Sequence, residues 1–414
     1  MWWASLVLVL APLQLERLPE GHPMRIRADP MIWWDWTPLR FVDRSGVYNL
    51  GPADLGIDSG AGRHVVFGGR NPDDCPGSSY WCGLYHQFSA DGLQWTRPLL
   101  IPETQFASVF QFCEVLGNET GRVYVCWLGN GIQLCWTDDR GQSFSPPVMV
   151  SGALPSGDDF DITIDDSGAL HVAWLGVEWD GLGDVWENVY YTWSSATYCS
   201  DTSGQRHRRD PVFHPGYAVS DDRSGGGLDI TLAVTRDQWV TISWQDLDQY
   251  LRITQAYAGA AFPPSWDPGS GRIVRNPWAV SFDDGAVTVF YDRYGPPDYK
   301  RLIYTSVAED GRTFEGPFVL PPPDFQAGFL SLRRCVQRDR SGRVEILWGG
   351  GYFPDGSYGI IHSTSLDYGR TLLQKTLIYD NRIYPGSGDP SLDLLPDGRP
   401  ALIDYIHHYG EAQR

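Results

Sequence analysis

Apolar and polar positions alternate in short runs along the chain, and seven of these runs share one form. In each, a turn containing Gly or Asp leads into a run of apolar and β-branched residues that ends, in most cases, in a large side chain. The seven runs lie at 62–67, 121–127, 168–174, 237–244, 285–291, 342–348 and 398–404. Short apolar runs bounded by turn residues predict buried β-strands. Since no stretch keeps a helical periodicity, the chain is predicted to be all-β.

The spacing of the runs predicts a repeated unit. Successive turns are about 47 to 70 residues apart, which suits one four-stranded antiparallel propeller blade with loops of variable length. Each run would be the second strand of its blade. The four strands are predicted at 111–116, 122–127, 132–137 and 145–150 in the second repeat, and at 278–282, 286–291, 302–307 and 317–320 in the fifth. We therefore predict a seven-bladed β-propeller, with six blades and extra terminal strands as the alternative.

The last repeat lacks room for its third and fourth strands, because only ten residues follow position 404. The segment 36–42 resembles the fourth strand at 95–101, and 24–28 is predicted to be the third. A blade assembled from both chain ends closes the ring and leaves no open sheet edge. We predict a leader at 1–23 and one propeller domain at 24–414. Its predicted blades are about 49–104, 105–154, 155–224, 225–275, 276–325, 326–385, and 386–414 with 24–48.

Composition supports this prediction and narrows the function. The chain has 414 residues, a net charge of −19, 18 Trp, 46 Gly and 30 Pro, which is typical of many short strands joined by tight turns. No basic stripe is present, so nucleic acid is not an expected partner. Because Lys300 and Lys375 are the two lysines, arginine carries almost all the positive charge, and some arginines could bind carboxylates bidentately.

Seven cysteines leave at least one unpaired within the chain. Cys75 and Cys82 have a spacing that could close a small disulfide, and Cys113, Cys126 and Cys135 are predicted on three consecutive strands of one blade. No CxxC pair occurs, so a zinc site is not expected. We predict no metal site and no cofactor. The apolar run 2–13 has the length of a signal sequence and is too short to span a membrane. It lacks a basic start, so the expected extracellular or cell-envelope location stays open.

The turns between third and fourth strands repeat a second motif. It occurs at 365–372 (SLDYGRTL) and 137–144 (TDDRGQSF), and in looser form at 307–314 and 89–95. These turns resemble the Asp-box, or BNR repeat, of sialidase-like β-propellers, S-x-D-x-G-x-[ST]-[WF]. In such a turn the Asp and Ser side chains bond nearby backbone N–H groups and the Gly takes a positive φ. The resemblance implies that these turns are scaffold and that a substrate binds at the opposite face.

Residues that recur at one register are expected to be scaffold, and single departures are the better site candidates. Recurring acids near the starts of first strands are predicted to cap loops and strands: Asp54, Asp161, Asp229 and Asp389. Arg70, Asp246 and Arg293 stand out near the ends of second strands. Arg333 and Arg334 begin an inner strand, where only one of the two can point into the central channel. The remaining candidates are Asp73, Asp74, Glu178, Trp278, Tyr294, His407 and His408.

The sialidase resemblance implies roles for some of these residues. In sialidases three arginines bind the substrate carboxylate, a Tyr–Glu pair supplies the nucleophile, and an Asp acts as acid and base. The implied carboxylate-binding groups are Arg70, Arg293 and Arg333. The implied catalytic groups are Asp73 or Asp74 as acid/base, Glu178 or Asp246 as base, and Tyr294, Tyr352 or Tyr384 as phenol.

Three functions remain open. The principal prediction is a glycoside hydrolase acting on a terminal, anionic or neutral sugar. One alternative is a polysaccharide lyase in which His407 or His408 and a Tyr abstract a proton while an arginine neutralises a uronate. The other is a propeller that binds glycans or proteins without catalysis, with Trp278 among the aromatic residues that could stack on sugar rings. The expected partner is a carbohydrate or glycoconjugate, and the chain is expected to be a monomer.

Overall fold

The computed structural model divides the chain into two units, Met1–Trp33 and Trp34–Arg414. The residues that the structure describes all belong to the second unit. They are 35–36, 40–41, 48–70, 74, 83–104, 113–157, 159–179, 185–200, 203, 206–220, 226–271, 273–295, 300–320, 329–330, 334–352, 358–380, 390–404 and 408–413. The leader predicted at 1–23 and the pair Cys75 and Cys82 lie outside these residues.

All regular structure in the described residues is β, as predicted. Two short strands come first, β1 (Asp35–Trp36) and β2 (Arg40–Phe41). Sheet 1 contains β3 (Tyr48–Ile57), β4 (Arg63–Arg70), β5 (Gly83–Ser89) and β6 (Leu99–Leu100). Sheet 2 contains β7 (Cys113–Gly117), β8 (Val123–Gly129), β9 (Gly131–Thr137) and β10 (Val148–Met149).

Sheet 3 carries an inserted hairpin between its third and fourth strands. The sheet contains β11 (Phe160–Ile164), β12 (Leu170–Trp179), β13 (Val185–Trp193) and β16 (Tyr217–Ala218). The hairpin consists of β14 (Tyr198–Ser200) and β15 (Arg206–Arg208). Sheet 4 has three strands, β17 (Gly226–Val234), β18 (Trp239–Asp246) and β19 (Leu251–Tyr257).

The remaining three sheets follow in chain order. Sheet 5 contains β20 (Val274–Ser281), β21 (Val287–Gly295), β22 (Lys300–Ala308) and β23 (Glu315–Leu320). Sheet 6 contains β24 (Phe329–Leu330), β25 (Val336–Arg338), β26 (Val344–Tyr352), β27 (Tyr358–Ser365) and β28 (Gln374–Asp380). Sheet 7 contains β29 (Ser391–Leu394), β30 (Pro400–Asp404) and β31 (His408–Gln413), together with β1 and β2.

The first strands of neighbouring sheets contact one another in a closed cycle. The contacts run from β3 to β7, β11, β17, β20, β25 and β29 in turn, and from β29 back to β3. Sheets that radiate from such a ring of inner strands form a β-propeller. The chain is therefore an all-β β-propeller.

The sheet that joins the two chain ends differs from the prediction in one strand. Asp35 and Trp36 pair with Gln413 and Ala412, and Arg40 pairs with Tyr409, so the N-terminal segment does supply the outer strands. The third strand, however, is β31 from the C-terminus. The prediction of 24–28 for this strand was wrong, because the residues after 404 include the six-residue strand β31.

The large side chains that end the repeated runs lie in the layers between sheets. Trp127, Trp174 and Trp348 are fully buried, which explains why the sequence pattern recurs once per sheet. Cys113, Cys126 and Cys135 lie on β7, β8 and β9, three consecutive strands of sheet 2, as predicted. Cys126, Cys135 and Cys199 are free thiols in the structure.

The turns that resemble Asp-boxes share one hydrogen-bond pattern. The N–H of Gly141 donates to Thr137 Oγ1 (2.8 Å), and the N–H of Ser143 donates to Asp139 (2.9 Å). Gly369, Ser365, Thr371 and Asp367 repeat both bonds, at 2.9 and 2.8 Å. In the looser turn at 307–314 the accepting carboxylate belongs to Asp310. The motif predicts the acid one residue earlier, at Glu309.

Acidic side chains on the first strands join neighbouring sheets. Each accepts a hydrogen bond from a backbone N–H on the first strand of the next sheet, which satisfies a donor that the sheet itself leaves open. The bonds run from Val115 to Asp54 (2.6 Å), Ile162 to Glu114 (3.3 Å), Ile230 to Asp159 (2.7 Å), Leu232 to Asp161 (2.6 Å), Asn276 to Asp229 (2.9 Å) and Ile57 to Asp393 (2.7 Å). These acids are scaffold that bridges sheets.

Candidate functional site

Three neighbouring sheets place a polar side chain opposite the aromatic residue near the end of the second strand. The opposed pairs are Trp174 and Tyr190 in sheet 3, Trp244 and Arg252 in sheet 4, and Tyr291 and Tyr304 in sheet 5. In each sheet the second-strand aromatic belongs to the core shared with the preceding sheet. We name each site by the two sheets between which it lies. They are the 2/3 cleft (Glu178, Asn188, Tyr190), the 3/4 cleft (Asp246, Arg252) and the 4/5 cleft (Arg293, Tyr304).

The 2/3 cleft pairs a phenol with a carboxylate. The hydroxyl of Tyr190 donates to Glu178 Oε1, and Asn188 Nδ2 lies 3.5 Å from the same oxygen. Burial and the hydrogen bond to Glu178 raise the pKa of Tyr190 to about 12, so the phenol keeps its proton at neutral pH. Glu178 was predicted from the sequence, whereas Tyr190 was not. Its place opposite Trp174 on the next strand becomes visible only when the register is known.

The 3/4 cleft is closed by an ion pair. Asp246 is buried, and its Oδ2 accepts from Arg252 Nε at 2.6 Å. Its other oxygen accepts the backbone N–H of Tyr250 at 2.8 Å. Both carboxylate oxygens are therefore engaged within sheet 4, which makes Asp246 a structural acceptor in this arrangement.

The 4/5 cleft holds a guanidinium whose Nε has no acceptor among the described residues. The Arg293 guanidinium lies 5.7 Å from the ring centroid of Tyr304, and its Nε is buried with no hydrogen-bond partner. It also packs on the backbone of Gly271, where an added Cβ would lie 2.6 Å from Arg293 Cζ. Among the described residues no carboxylate bonds to it, in contrast to Arg252. The cleft thus presents fixed positive charge with unused donors.

Sheet 1 holds two further predicted residues. Arg70 ends β4 and is partly buried. Asp74 is exposed, and its carboxylate accepts from the Tyr85 hydroxyl at 2.9 Å. Asp74, Glu178 and Asp246 therefore belong to three different sheets, and each accepts a bond within its own sheet or the loop beside it.

Arg334 lies at the centre of the ring of first strands. Its Nη1 donates to the carbonyl of Val115, which is in sheet 2, across the molecule from sheet 6. The charges of Asp393, Asp54, Glu114 and Asp161 favour its charged form. Arg334 was predicted to bind substrate, but its buried guanidinium is engaged by these scaffold acids and by a backbone carbonyl.

Burial of this central cluster also raises the pKa values of its acids. It raises the pKa of Asp161 and of Asp393 to about 6, and raises the pKa of Glu114 and of Asp159 well above the usual range. Sequence reasoning singled out Asp161 and missed Glu114, Asp159 and Asp393. The signal that could have found them is an acidic residue inside an otherwise apolar first strand.

Trp278 joins two sheets. Its indole Nε1 donates to the carbonyl of Val336 in sheet 6 at 2.8 Å, and the side chain is buried. A ring in this position packs between sheets 5 and 6 and offers no open face for the sugar stacking predicted from the sequence.

The other predicted residues cannot be placed. Asp73, Arg333, Tyr384, Asp389 and His407 lie outside the described residues. Tyr294, Tyr352 and His408 are in β21, β26 and β31, but their side chains are outside the description. The lyase alternative depends on His407 and His408 and stays a prediction.

The described residues contain no group of three or more His, Cys, Asp or Glu arranged to hold a metal ion. Nor do they contain a helix that is long and apolar enough to cross a membrane.

Comparison with known proteins identifies the fold. No protein-family profile matches the sequence, and no curated protein matches it either. The solved structures similar to the chain include the BP39L lectin from Burkholderia pseudomallei, with a TM-score of 0.51, 12% identity and coverage of 89% of this chain and 98% of that one. YCF48 bound to D1 peptide has a TM-score of 0.50, 13% identity and coverage of 94% and 97%.

A sialidase is also among the similar structures. The NanB sialidase from Streptococcus pneumoniae, in a mutant form, has a TM-score of 0.42, 10% identity and coverage of 91% of this chain and 71% of that one. At these identities the likeness shows the fold alone. The comparisons thus support a β-propeller.

Proposed function

We propose that this chain is a glycan-binding β-propeller that recognises a sugar bearing a carboxylate through Arg293 in the 4/5 cleft. The observation that carries the proposal is Arg293, whose Nε is buried and has no hydrogen-bond partner among the described residues. Arg252, at the neighbouring cleft, has a buried carboxylate as its partner. We infer that a ligand supplies the corresponding acceptor to Arg293.

The chemistry of the guanidinium defines the ligand group. Its planar N–H donors match the two oxygens of a carboxylate, and hydrogen bonds to charged groups contribute about 1.5–3 kcal/mol each. Tyr304 covers one face of the guanidinium, and Gly271 leaves space for its other side. The site is thus prepared for an anion before a ligand arrives, which lowers the entropy cost of binding.

The fold supports a carbohydrate as the remainder of the ligand. The BP39L lectin shares the propeller fold, and a lectin binds carbohydrate. A uronate or a sialic acid combines a carboxylate with a sugar ring, in agreement with the anionic terminal sugar expected from the sequence. We therefore propose a glycan as the ligand class. The proposal is for binding and includes no catalytic step.

Glycoside hydrolysis is the second candidate. The observation that favours it is the pKa of about 6 for Asp161 and Asp393, since an acid that keeps a proton near neutral pH can serve as a general acid. We place binding first because both carboxylates accept backbone hydrogen bonds from the next sheet, from Leu232 and Ile57. Those bonds tie the two acids to the scaffold.

The test measures binding of N-acetylneuraminic acid and glucuronic acid by calorimetric titration. We expect Arg293→Gln to weaken binding of both acids by at least about tenfold, as loss of one charge-assisted bond implies. Arg97→Gln is the matched control, because Arg97 is exposed near the third–fourth strand turn of sheet 1. Equal affinity in wild type and Arg293→Gln would contradict the proposal. Release of fluorophore from sialosides or glucuronides by the wild type would favour hydrolysis.

We also infer that the seven sheets of three to five strands are seven blades. The support is the closed cycle of first-strand contacts, which passes once through each sheet. The hydrogen bonds at Asp139 and Asp367 support assignment of those turns as Asp-boxes. An experimental structure that shows six blades, or other bonding in these turns, would refute the inference.

A further inference from the structure

The 2/3 cleft is built around a carboxylate that has one oxygen in use. Glu178 Oε1 accepts from the Tyr190 hydroxyl and lies 3.5 Å from Asn188 Nδ2. Among the described residues nothing bonds to the other oxygen, Oε2. Glu178 and Asn188 are both partly exposed, whereas the Tyr190 ring is buried beneath them. Within the described part of the chain, Oε2 is therefore an acceptor still open for bonding, on a carboxylate that is partly exposed.

The sequence prepares this arrangement in three ways. The Tyr190 ring stacks on Trp174, with ring centroids 5.6 Å apart and planes at 19°. Trp174 is fixed in turn by a hydrogen bond from its Nε1 to the carbonyl of Pro155 at 2.8 Å. Gly176 lets the phenol lie across β12, because an added Cβ would be 2.5 Å from Tyr190 Cε2. The hydroxyl is thereby directed at Glu178 by packed neighbours.

Tyr190 acts as a permanent donor in this cleft. Its phenol keeps its proton far above neutral pH, so it always occupies Oε1 and orients the carboxylate plane. Oε2 remains as an acceptor, and the amide of Asn188 beside it can both donate and accept. A fixed acceptor next to an amide matches two adjacent hydroxyls of a sugar ring, which each donate and accept one bond.

The three clefts differ in what they leave unsatisfied. In the 3/4 cleft both oxygens of the carboxylate are in use, because Asp246 is bonded to Arg252 and to the backbone of Tyr250 within sheet 4. The 4/5 cleft leaves the donors of Arg293, which suit an anion. The 2/3 cleft leaves an acceptor, which repels an anion and suits a hydroxyl donor. The 3/4 cleft shows how this position is built when it is only structural.

We propose that the 2/3 cleft is a second ligand site, which binds adjacent hydroxyls of a neutral sugar through Glu178 Oε2 and Asn188. This site rests on the proposed function in one respect, namely that the chain binds glycans. It is independent of Arg293, which lies two sheets further along the chain. A glycan with a neutral and an anionic residue would then have two separate sites on one chain, and occupation of both would raise its affinity.

The test uses saturation-transfer NMR and calorimetry with the methyl glycosides of galactose, mannose and arabinose as neutral probes. We expect Glu178→Gln to weaken binding of the neutral probe by about tenfold or more, as loss of a charged acceptor implies. Binding of glucuronic acid should be unchanged. Glu315→Gln is the matched control, because Glu315 is 69% exposed on the outer strand β23. Equal urea unfolding midpoints would show that both variants are folded.

The outcomes separate this proposal from the previous one. Neutral probes that bind wild type and Glu178→Gln equally, or that fail to bind wild type at all, overturn the second site. Loss of glucuronic acid binding in Arg293→Gln alone leaves the second site standing. Neutral binding that depends on Glu178, without any binding of glucuronic acid, refutes the role of Arg293 and supports the second site.

Discussion

Replacement of His86 by Gln should remove a pH-dependent part of the stability of this protein. His86 and His64 are buried, and their rings are joined by a hydrogen bond of 3.0 Å between His86 Nε2 and His64 Nδ1. His64 Nε2 lies 3.3 Å from the carboxylate of Asp58. The other ring nitrogen of His86 faces Gly141, where an added Cβ would lie 2.2 Å away. The His86 ring is thus closely packed in the interior, where a charged imidazole is unfavourable.

Burial, followed by the charge of His64, lowers the pKa of His86 well below its usual value of 6.5. The unfolded chain binds this proton more readily than the folded chain. The stability that neutral His86 contributes is therefore complete above pH 6.5 and is lost as the pH falls below that value. One proton corresponds to about 1.4 kcal/mol per pH unit, or about 2.7 kcal/mol over two units of acidification.

The central acids act in the opposite direction. The pKa of Asp161 and of Asp393 is raised to about 6, so the folded chain binds these protons more tightly and gains stability as the pH falls through that range. The wild-type profile is a sum of both effects. The difference between wild type and His86→Gln isolates the histidine, because distant sites contribute additively.

The assay is urea unfolding followed by tryptophan fluorescence at several pH values between about 4.5 and 8. We expect the free energy of unfolding of wild type relative to His86→Gln to fall by about 1.4 kcal/mol per pH unit below pH 6.5 and to be constant above it. His207→Gln, at an exposed position on β15, is the control for the substitution itself. A wild-type–variant difference that stays constant over the whole range would refute this account of the buried pair.

Three further predictions concern the scaffold. Arg334→Met should destabilise the fold by about 3–5 kcal/mol at about pH 8, because it leaves buried carboxylates without their cation. Urea unfolding should show a smaller loss at about pH 5, where Asp161 and Asp393 are protonated. Gly117→Ala should lower the free energy of unfolding by at least about 1–3 kcal/mol, since its Cβ would lie 1.9 Å from the carbonyl oxygen of Ile57. A loss no greater than in Gly60→Ala would argue against close packing of sheets 1 and 2. Asp310→Ala should lower the free energy of unfolding by about 1–2 kcal/mol through loss of its bonds to Thr313 and Arg312, a larger loss than in Glu309→Ala. The reverse order in thermal unfolding would identify Glu309 as the acid of that turn.

Much of the fold could be predicted because one physical constraint repeats in every sheet. A large residue such as Trp174 must fill the layer between sheets, so the sequence repeats it at the end of the second strand. The turns at Asp139 and Asp367 could be found because their bonding is local. The third strand of sheet 7 was misplaced because its short turn and strand at the C-terminus carry no such repeated signal.

The candidate sites could be predicted only in part. Arg293 stood out by its type at a repeated position, but its packing partners Tyr304 and Gly271 come from other segments. The pairing of Glu178 with Tyr190 depends on strand register and on the space left by Gly176. The acids around Arg334 could not be identified from the sequence, because they come from four other sheets. Contacts between distant segments carry no local pattern.

The central claim is that Arg293 binds the carboxylate of a sugar. The most direct test measures dissociation constants for N-acetylneuraminic acid and for its methyl ester, which lacks the negative charge, with wild type and with Arg293→Gln. The account predicts that wild type prefers the acid by about tenfold or more and that the variant binds acid and ester with nearly equal affinity. The same preference for the acid in both proteins, or no preference in wild type, would contradict it.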